Sequence, residues 1–122
     1  MKQPYVVVVT GGRGYSDTAH VCRVLDELRA LNHIDALVQG GCDGADMIAK
    51  LWAIDNTVQV FEARVTPQQW HKSKRSGPIR NRLMLTVCKP DLLVAFPGHG
   101  GTDGCVDIGR ELGIEVRDER TI

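Results

Sequence analysis

Three glycine-rich stretches carry the chemistry open to this chain: Gly11-Gly12-Arg13-Gly14, Gly40-Gly41-Cys42-Asp43-Gly44-Ala45-Asp46 and Pro97-Gly98-His99-Gly100-Gly101-Thr102. Glycine lets a backbone bend tightly and approach a ligand closely. Where a helix follows, its first N–H groups are unpaired and its dipole is positive, so an anion is favoured there. Phosphate binding is therefore expected from Gly11, Gly12 and Arg13 in the first stretch, Gly41 and Asp43 in the second, and Gly98, Gly100, Gly101 and Thr102 in the third. Thr102 could serve a phosphate, cap the following helix, or do both. Asp43 and Asp46 have the spacing of an N-cap and its N3 partner, so helix capping competes with ligand contact. The first stretch is neither a complete GxGxxG nor a P-loop with its lysine and hydroxyl residue. Ordinary dinucleotide and P-loop NTPase readings are weakened accordingly.

The remaining polar residues are less telling. No histidine, cysteine and carboxylate grouping has metal-ligand spacing, and no metal or other cofactor is expected. His99 reads first as an exposed loop residue, and Trp52 and Trp70 as core or pocket wall. Lysine plus arginine equals aspartate plus glutamate, 15 of each. That balance argues against a long nucleic-acid partner, which usually meets a basic excess. Positive charge is instead local, in His71, Lys72, Lys74, Arg75, Arg80 and Arg82. Such a cluster suits a few phosphates or is simply a solvated helix face. The longest apolar run, Tyr5 to Val9, is too short to cross a bilayer, and no membrane partner is expected. The first residues lack the pattern of a signal peptide. A cytoplasmic location is expected, with Cys22, Cys42, Cys88 and Cys105 as free thiols.

The elements that must position the glycine stretches alternate between strand and helix patterns. Strands are predicted at Tyr5–Thr10, Ile34–Gln39, Val58–Phe61, Asp91–Phe96 and Ile114–Val116. A helix after the first stretch would bury Val21, Val24, Leu25, Leu28 and Leu31, with Ser16 or Asp17 as N-cap. The next would bury Ala45, Ile48, Ala49 and Trp52. Thr66-Pro67-Gln68-Gln69 reads as a capping box opening a short helix through Trp70, which Gly77-Pro78 breaks. A further helix would turn Ile79, Leu83, Met84 and Val87 inward, ending at Lys89-Pro90. The last would run to about Leu112, with Gly113 as its C-terminal cap. Such alternation predicts one α/β domain over residues 1–122: a three-layer, Rossmann-like fold on a mainly parallel five-stranded sheet of order 3-2-1-4-5. All three glycine stretches then lie on one sheet edge, with the first and third facing each other at the topological switch point.

The succession GGRGY, GGCDGAD, GPIRNRLM and FPGHGGTDG resembles the SLOG superfamily of Rossmann-like domains, which includes the LOG phosphoribohydrolases and the DNA-processing protein DprA. Within it the chain is most similar to the YspA-like, YpsA-related branch, over nearly its whole length. The resemblance implies a nucleotide or nucleotide-derived ligand, ADP-ribose-like, lying over the first and third stretches. It also implies a homo-oligomer, a dimer or higher, in which neighbouring subunits complete the site.

In LOG enzymes an arginine and a glutamate support cleavage of the base–ribose bond. Arg80 matches the arginine and is expected to hold the ligand's phosphates together with the first and third stretches, whereas the glutamate position is Cys105. A thiol supplies no negative charge unless its pKa is strongly lowered. Asp103 and Asp107 are the nearby carboxylates, but their helical offsets from Cys105 point in different directions. Ligand binding or sensing is therefore the leading expectation. A phosphoribohydrolase using Arg80, Asp103 and Asp107 is the first alternative, and a DprA-like DNA-handling protein the second.

Overall fold

The chain builds the middle of its sheet from strands whose side chains are buried on both faces, as a parallel sheet covered by helices requires. In the computed structural model, which describes residues 3–64 and 76–121, the order is β1 (Val6–Thr10), α1 (Thr18–Leu31), β2 (Ala36–Gln39), α2 (Ala45–Asp55), β3 (Gln59–Glu62), α3 (Ser76–Cys88), β4 (Leu92–Ala95), α4 (Gly100–Glu111) and β5 (Val116–Asp118). The five strands are all parallel and lie in the order β3-β2-β1-β4-β5. β1 sits at the centre, with Val8 beside Val38 of β2 and Leu93 of β4. The expected capping box at Thr66, Trp70 and the basic residues His71 to Arg75 lie outside the described residues.

Two cores flank the sheet. On one face Val21, Val24, Leu25 and Leu28 of α1 and Ala49, Trp52 and Ala53 of α2 pack on Val7, Val9, Leu37 and Val94. On the other, Met84 and Leu85 of α3 and Cys105 of α4 pack on Val8, Val38 and Leu93. Asp17 caps α1, its carboxylate accepting from the His20 N–H at 3.1 Å. Gly113 follows α4 with φ 77° and closes the helix by donating to the Arg110 carbonyl.

Three expectations are corrected. Ile79, Leu83 and Val87 are not inward but 60%, 61% and 68% exposed, while Asn81, Met84 and Leu85 are buried. Both sets fit a helical period, so pattern alone leaves the phase of α3 open. Hydrogen bonds from Arg80 to the Gly40 and Ala63 carbonyls resolve it, by turning that side of the helix toward the second loop. Leu31, on the last turn of α1, lies beyond the sheet and is exposed. The last strand starts at Val116 rather than Ile114, because register with Leu93–Ala95 selects Val116, Arg117 and Asp118 despite their polarity. Ile114 instead packs under the sheet as part of the turn.

Candidate functional site

The three loops meet at Gly12. Its N–H donates to the Pro97 carbonyl at 2.9 Å, and its own carbonyl accepts from Tyr15 at 3.2 Å and Ala45 at 3.4 Å. A Cβ on Gly12 would sit 2.9 Å from the Gly98 Cα. A Cβ on Gly44, which has φ 77°, would strike the Gly12 carbonyl, and one on Gly11 would strike Ala45. Gly98 likewise leaves no room beside the Thr102 hydroxyl. These glycines let the loops pack on one another. Gly100 and Gly101 differ, since a Cβ on either would meet nothing within 4 Å among the described residues.

That contrast leaves the start of α4 more open than the start of α2. α4 begins after His99, whose side chain makes no capping bond. The first-turn N–H groups of a helix have no intrahelical partner. At the start of α4, Gly100 and Gly101 are exposed, with room among the described residues where a Cβ would stand, while Thr102 is buried. Arg13 and Asp43 are exposed on the first and second loops. Asp43 does not cap α2, because Gly44 occupies the N-cap position.

The second loop is crowded instead. Asp46 turns back and accepts from the N–H groups of Gly40 at 3.1 Å and Cys42 at 3.3 Å, both on Oδ2. Gln39 takes the Gly41 N–H between them. From outside, Arg80 Nη1 donates to the carbonyls of Gly40 at 2.9 Å and Ala63 at 2.7 Å, and Arg64 donates to that of Gly41 at 3.1 Å. Arg80 Nε bonds Asn81, whose amide reaches the Gly101 carbonyl at 3.4 Å, so α3 touches the second and third loops together.

Two buried groups here titrate away from their ordinary values. Burial pushes the Asp46 carboxyl up to about 6, against the Cys42 N–H, the Arg80 charge and the Gly40 N–H, while Glu62 adds to the rise. Its Oδ1 has no hydrogen-bond partner among the described residues. Burial likewise pushes the Cys105 thiol up to about 11, so it stays protonated and cannot replace a carboxylate. The charges of both Arg80 and Asp46 act on that thiol.

The other carboxylates expected to serve catalysis are placed differently. Asp103 is exposed and ion-paired to Arg120 at 2.7 Å, and Asp107 is exposed on the outer side of α4. Neither hydrogen-bonds Arg80 among the described residues, and no group of histidines, cysteines and carboxylates there could hold a metal ion. Gln39, Arg64 and Asn81 are not among the expected site residues, whereas Asp46 is expected from the sequence either to cap α2 or to touch a ligand. Gln39 had a signal, being a polar residue that closes an apolar strand.

A further unanticipated contact steadies the first loop. The Tyr15 hydroxyl and Glu119 bond the two ring nitrogens of buried His20, Glu119 at 2.8 Å. Tyr15 also stacks on Phe96 with ring centroids 6.2 Å apart. His20 first, and Arg117 after it, hold the Glu119 carboxyl below its ordinary value. The end of β5 is thereby clasped to the loop after β1.

Against this geometry, the profile of the YspA, cpYpsA-related SLOG family matches residues 5–71. The chain belongs to that family. It is 35% identical over 119 residues to the Gene 61 protein of Mycobacterium phage D29, covering 90% of this chain and 92% of that one. Among solved structures, this SLOG chain is similar to DprA from Streptococcus pneumoniae, with TM-score 0.77 and 18% identity over 94% of this chain and 50% of that one. DprA from Helicobacter pylori matches with TM-score 0.72 and 18% identity over 94% and 65%. The SLOG chain thus spans half to two thirds of those DprA chains, and at such identity the likeness shows the fold alone. The profile match takes in the first two loops and ends before Arg80 and the third.

Proposed function

We propose that this protein binds a nucleotide or nucleotide-derived ligand, ADP-ribose-like, with its phosphates over the first and third loops at the switch between β1 and β4. The observation that carries the reading is the start of α4. It offers uncapped N–H groups beneath two glycines that open on empty space, next to a loop that brings Arg13 to the same edge. Arg80 and Arg64 lie on the neighbouring second loop, spending donors on neutral carbonyls that a phosphate would outcompete. Binding rather than hydrolysis is favoured because Asp103 is already paired and Asp107 faces outward.

The expected homo-oligomer would use the exposed stripe Ile79, Leu83 and Val87, which lies on the side of α3 away from the sheet.

The test is a thermal-shift and calorimetric titration with AMP, ADP, ADP-ribose and NAD. A ligand present at a hundred times its Kd stabilises the folded state by about 2.7 kcal/mol. A clear rise in Tm with at least one of them is expected, and no shift at millimolar concentration would exclude the reading. The Helicobacter pylori DprA structure is described by its single-stranded DNA binding mode, which weakens the case from neutral charge against nucleic acid here. A short oligothymidylate in the same titration addresses that second reading. Binding of the oligomer without any mononucleotide would favour it.

A further inference from the structure

Buried polar atoms in folded proteins almost always find a partner, and an exception calls for an explanation. Asp46 is such an exception. The residue is only 5% exposed, both backbone bonds go to Oδ2, and Oδ1 has no partner among the described residues. Its surroundings are polar and mixed in charge. Arg80 approaches from α3, Glu62 from β3 with Lys50 at 2.9 Å from it, and the Cys105 thiol from α4. A carboxylate kept only to hold its loop would need Oδ2 and nothing more.

We propose that Asp46 is the ligand-facing carboxylate of this site, its Oδ1 accepting a hydrogen bond from a sugar hydroxyl of the bound nucleotide. The inference rests on the nucleotide reading above and assigns the sugar end of the ligand to the second loop. Three features support it. Asp46 stands on the same sheet edge as the start of α4, since Ala45 beside it is hydrogen-bonded to Gly12. It acts electrostatically on Cys105, a helical turn into α4 from Thr102, so sugar and phosphate positions share one rim. The guanidinium of Arg80 lies against Gly40, where any Cβ would collide with it, and is held there by the Gly40 and Ala63 carbonyls and the Asn81 side chain. Its charge also reaches Asp46.

The same geometry fixes how binding depends on pH. With Oδ2 committed to two N–H groups, a proton on Asp46 must occupy Oδ1. Protonation then replaces the free acceptor by a donor. The carboxyl titrates at about 6, so the acceptor is present above that pH and lost below it. ADP-ribose is the probe, because its pyrophosphate does not titrate in this range.

The experiment is calorimetric titration of the whole protein with ADP-ribose between pH 5 and 8, for the wild type and Asp46→Asn. The substituted amide can keep an oxygen on the Gly40 and Cys42 N–H groups while presenting N–H where Oδ1 was. Expected is wild-type affinity that falls roughly tenfold on acidification through pH 6. A second readout needs no variant: proton release on binding near pH 6, measured in buffers of different ionisation heat. The Asp46→Asn protein should bind roughly tenfold more weakly at pH 7.5, with no such pH dependence. Wild-type binding with no pH dependence and no proton release, matched by the variant, would overturn the role of Asp46 and leave only a water on Oδ1, with phosphate binding intact. Failure of the wild type to bind ADP-ribose or AMP at any pH would instead overturn the nucleotide reading itself. If the variant does not fold, proton release by the wild type decides alone.

Discussion

The second and third loops both follow a parallel strand, both are rich in glycine, and both open a helix, yet they are built in opposite ways. The second is filled: Asp46 and Gln39 hold its N–H groups, while Arg80 and Arg64 hold its carbonyls. The third is left open at Gly100 and Gly101, with no side chain capping α4 among the described residues. A glycine motif therefore marks two different needs. Gly44 is glycine because its φ is positive and another backbone lies against it, whereas Gly100 is glycine where nothing in the fold requires it. A residue that the fold does not need and helix propensity disfavours is best explained by what must come close to it.

The largest effect that could break this contrast is on stability. Gly44→Ala combines an unfavourable φ with a backbone collision and should destabilise by about 3 kcal/mol or more. Gly100→Ala should change stability by less than about 1 kcal/mol, in the stabilising direction if at all. Urea denaturation of both variants decides. Equal losses would mean that the third loop is as tightly built as the second.

Next is the buried carboxylate. The folded-state pKa of Asp46 is raised, so between about pH 4 and 6 the folded protein holds this proton more firmly than the unfolded chain. Its ionisation therefore lowers stability as pH rises through that window. Asp46→Asn should be more stable than wild type by about 2–3 kcal/mol at pH 7, a difference that shrinks toward zero by pH 4. Unfolding curves across that range would contradict the account if the gap stayed constant or widened on acidification. The smallest effect concerns the outer face of α3. Leu83→Lys should weaken self-association by about 1–2 kcal/mol without unfolding the chain, as read by sedimentation, and an unchanged association state would remove the stripe from any interface.

Most of the fold was legible from the chain, for physical reasons that differ from element to element. β1 and β4 are buried on both faces and announce themselves as apolar runs. Alternation and handedness imply a parallel sheet, and five such strands fit the half-Rossmann layout whose order the structure shows. α3 was misphased because it has apolar residues on two sides, and only Arg80, a contact distant in sequence, selects between them. β5 was misplaced because an edge strand is set by register rather than by its own hydropathy. At the site, the glycines were visible but their division into packed and open was not, since it depends on what lies opposite each Cα. Asp46 looked like half of a capping pair. Its free oxygen becomes apparent only when both backbone bonds are seen to fall on the other one.

The central claim is that the start of α4 receives the ligand's phosphates, and Gly101→Asp tests it most directly. The side chain has room, and a carboxylate at a helix N-terminus is favourable, so the protein should be as stable as wild type or up to about 1 kcal/mol more so. The same charge would repel a phosphate from the first-turn N–H groups. Calorimetry with ADP-ribose should show binding to wild type and its loss, at least tenfold, in a fully folded Gly101→Asp protein. Unchanged affinity in that variant would contradict the claim.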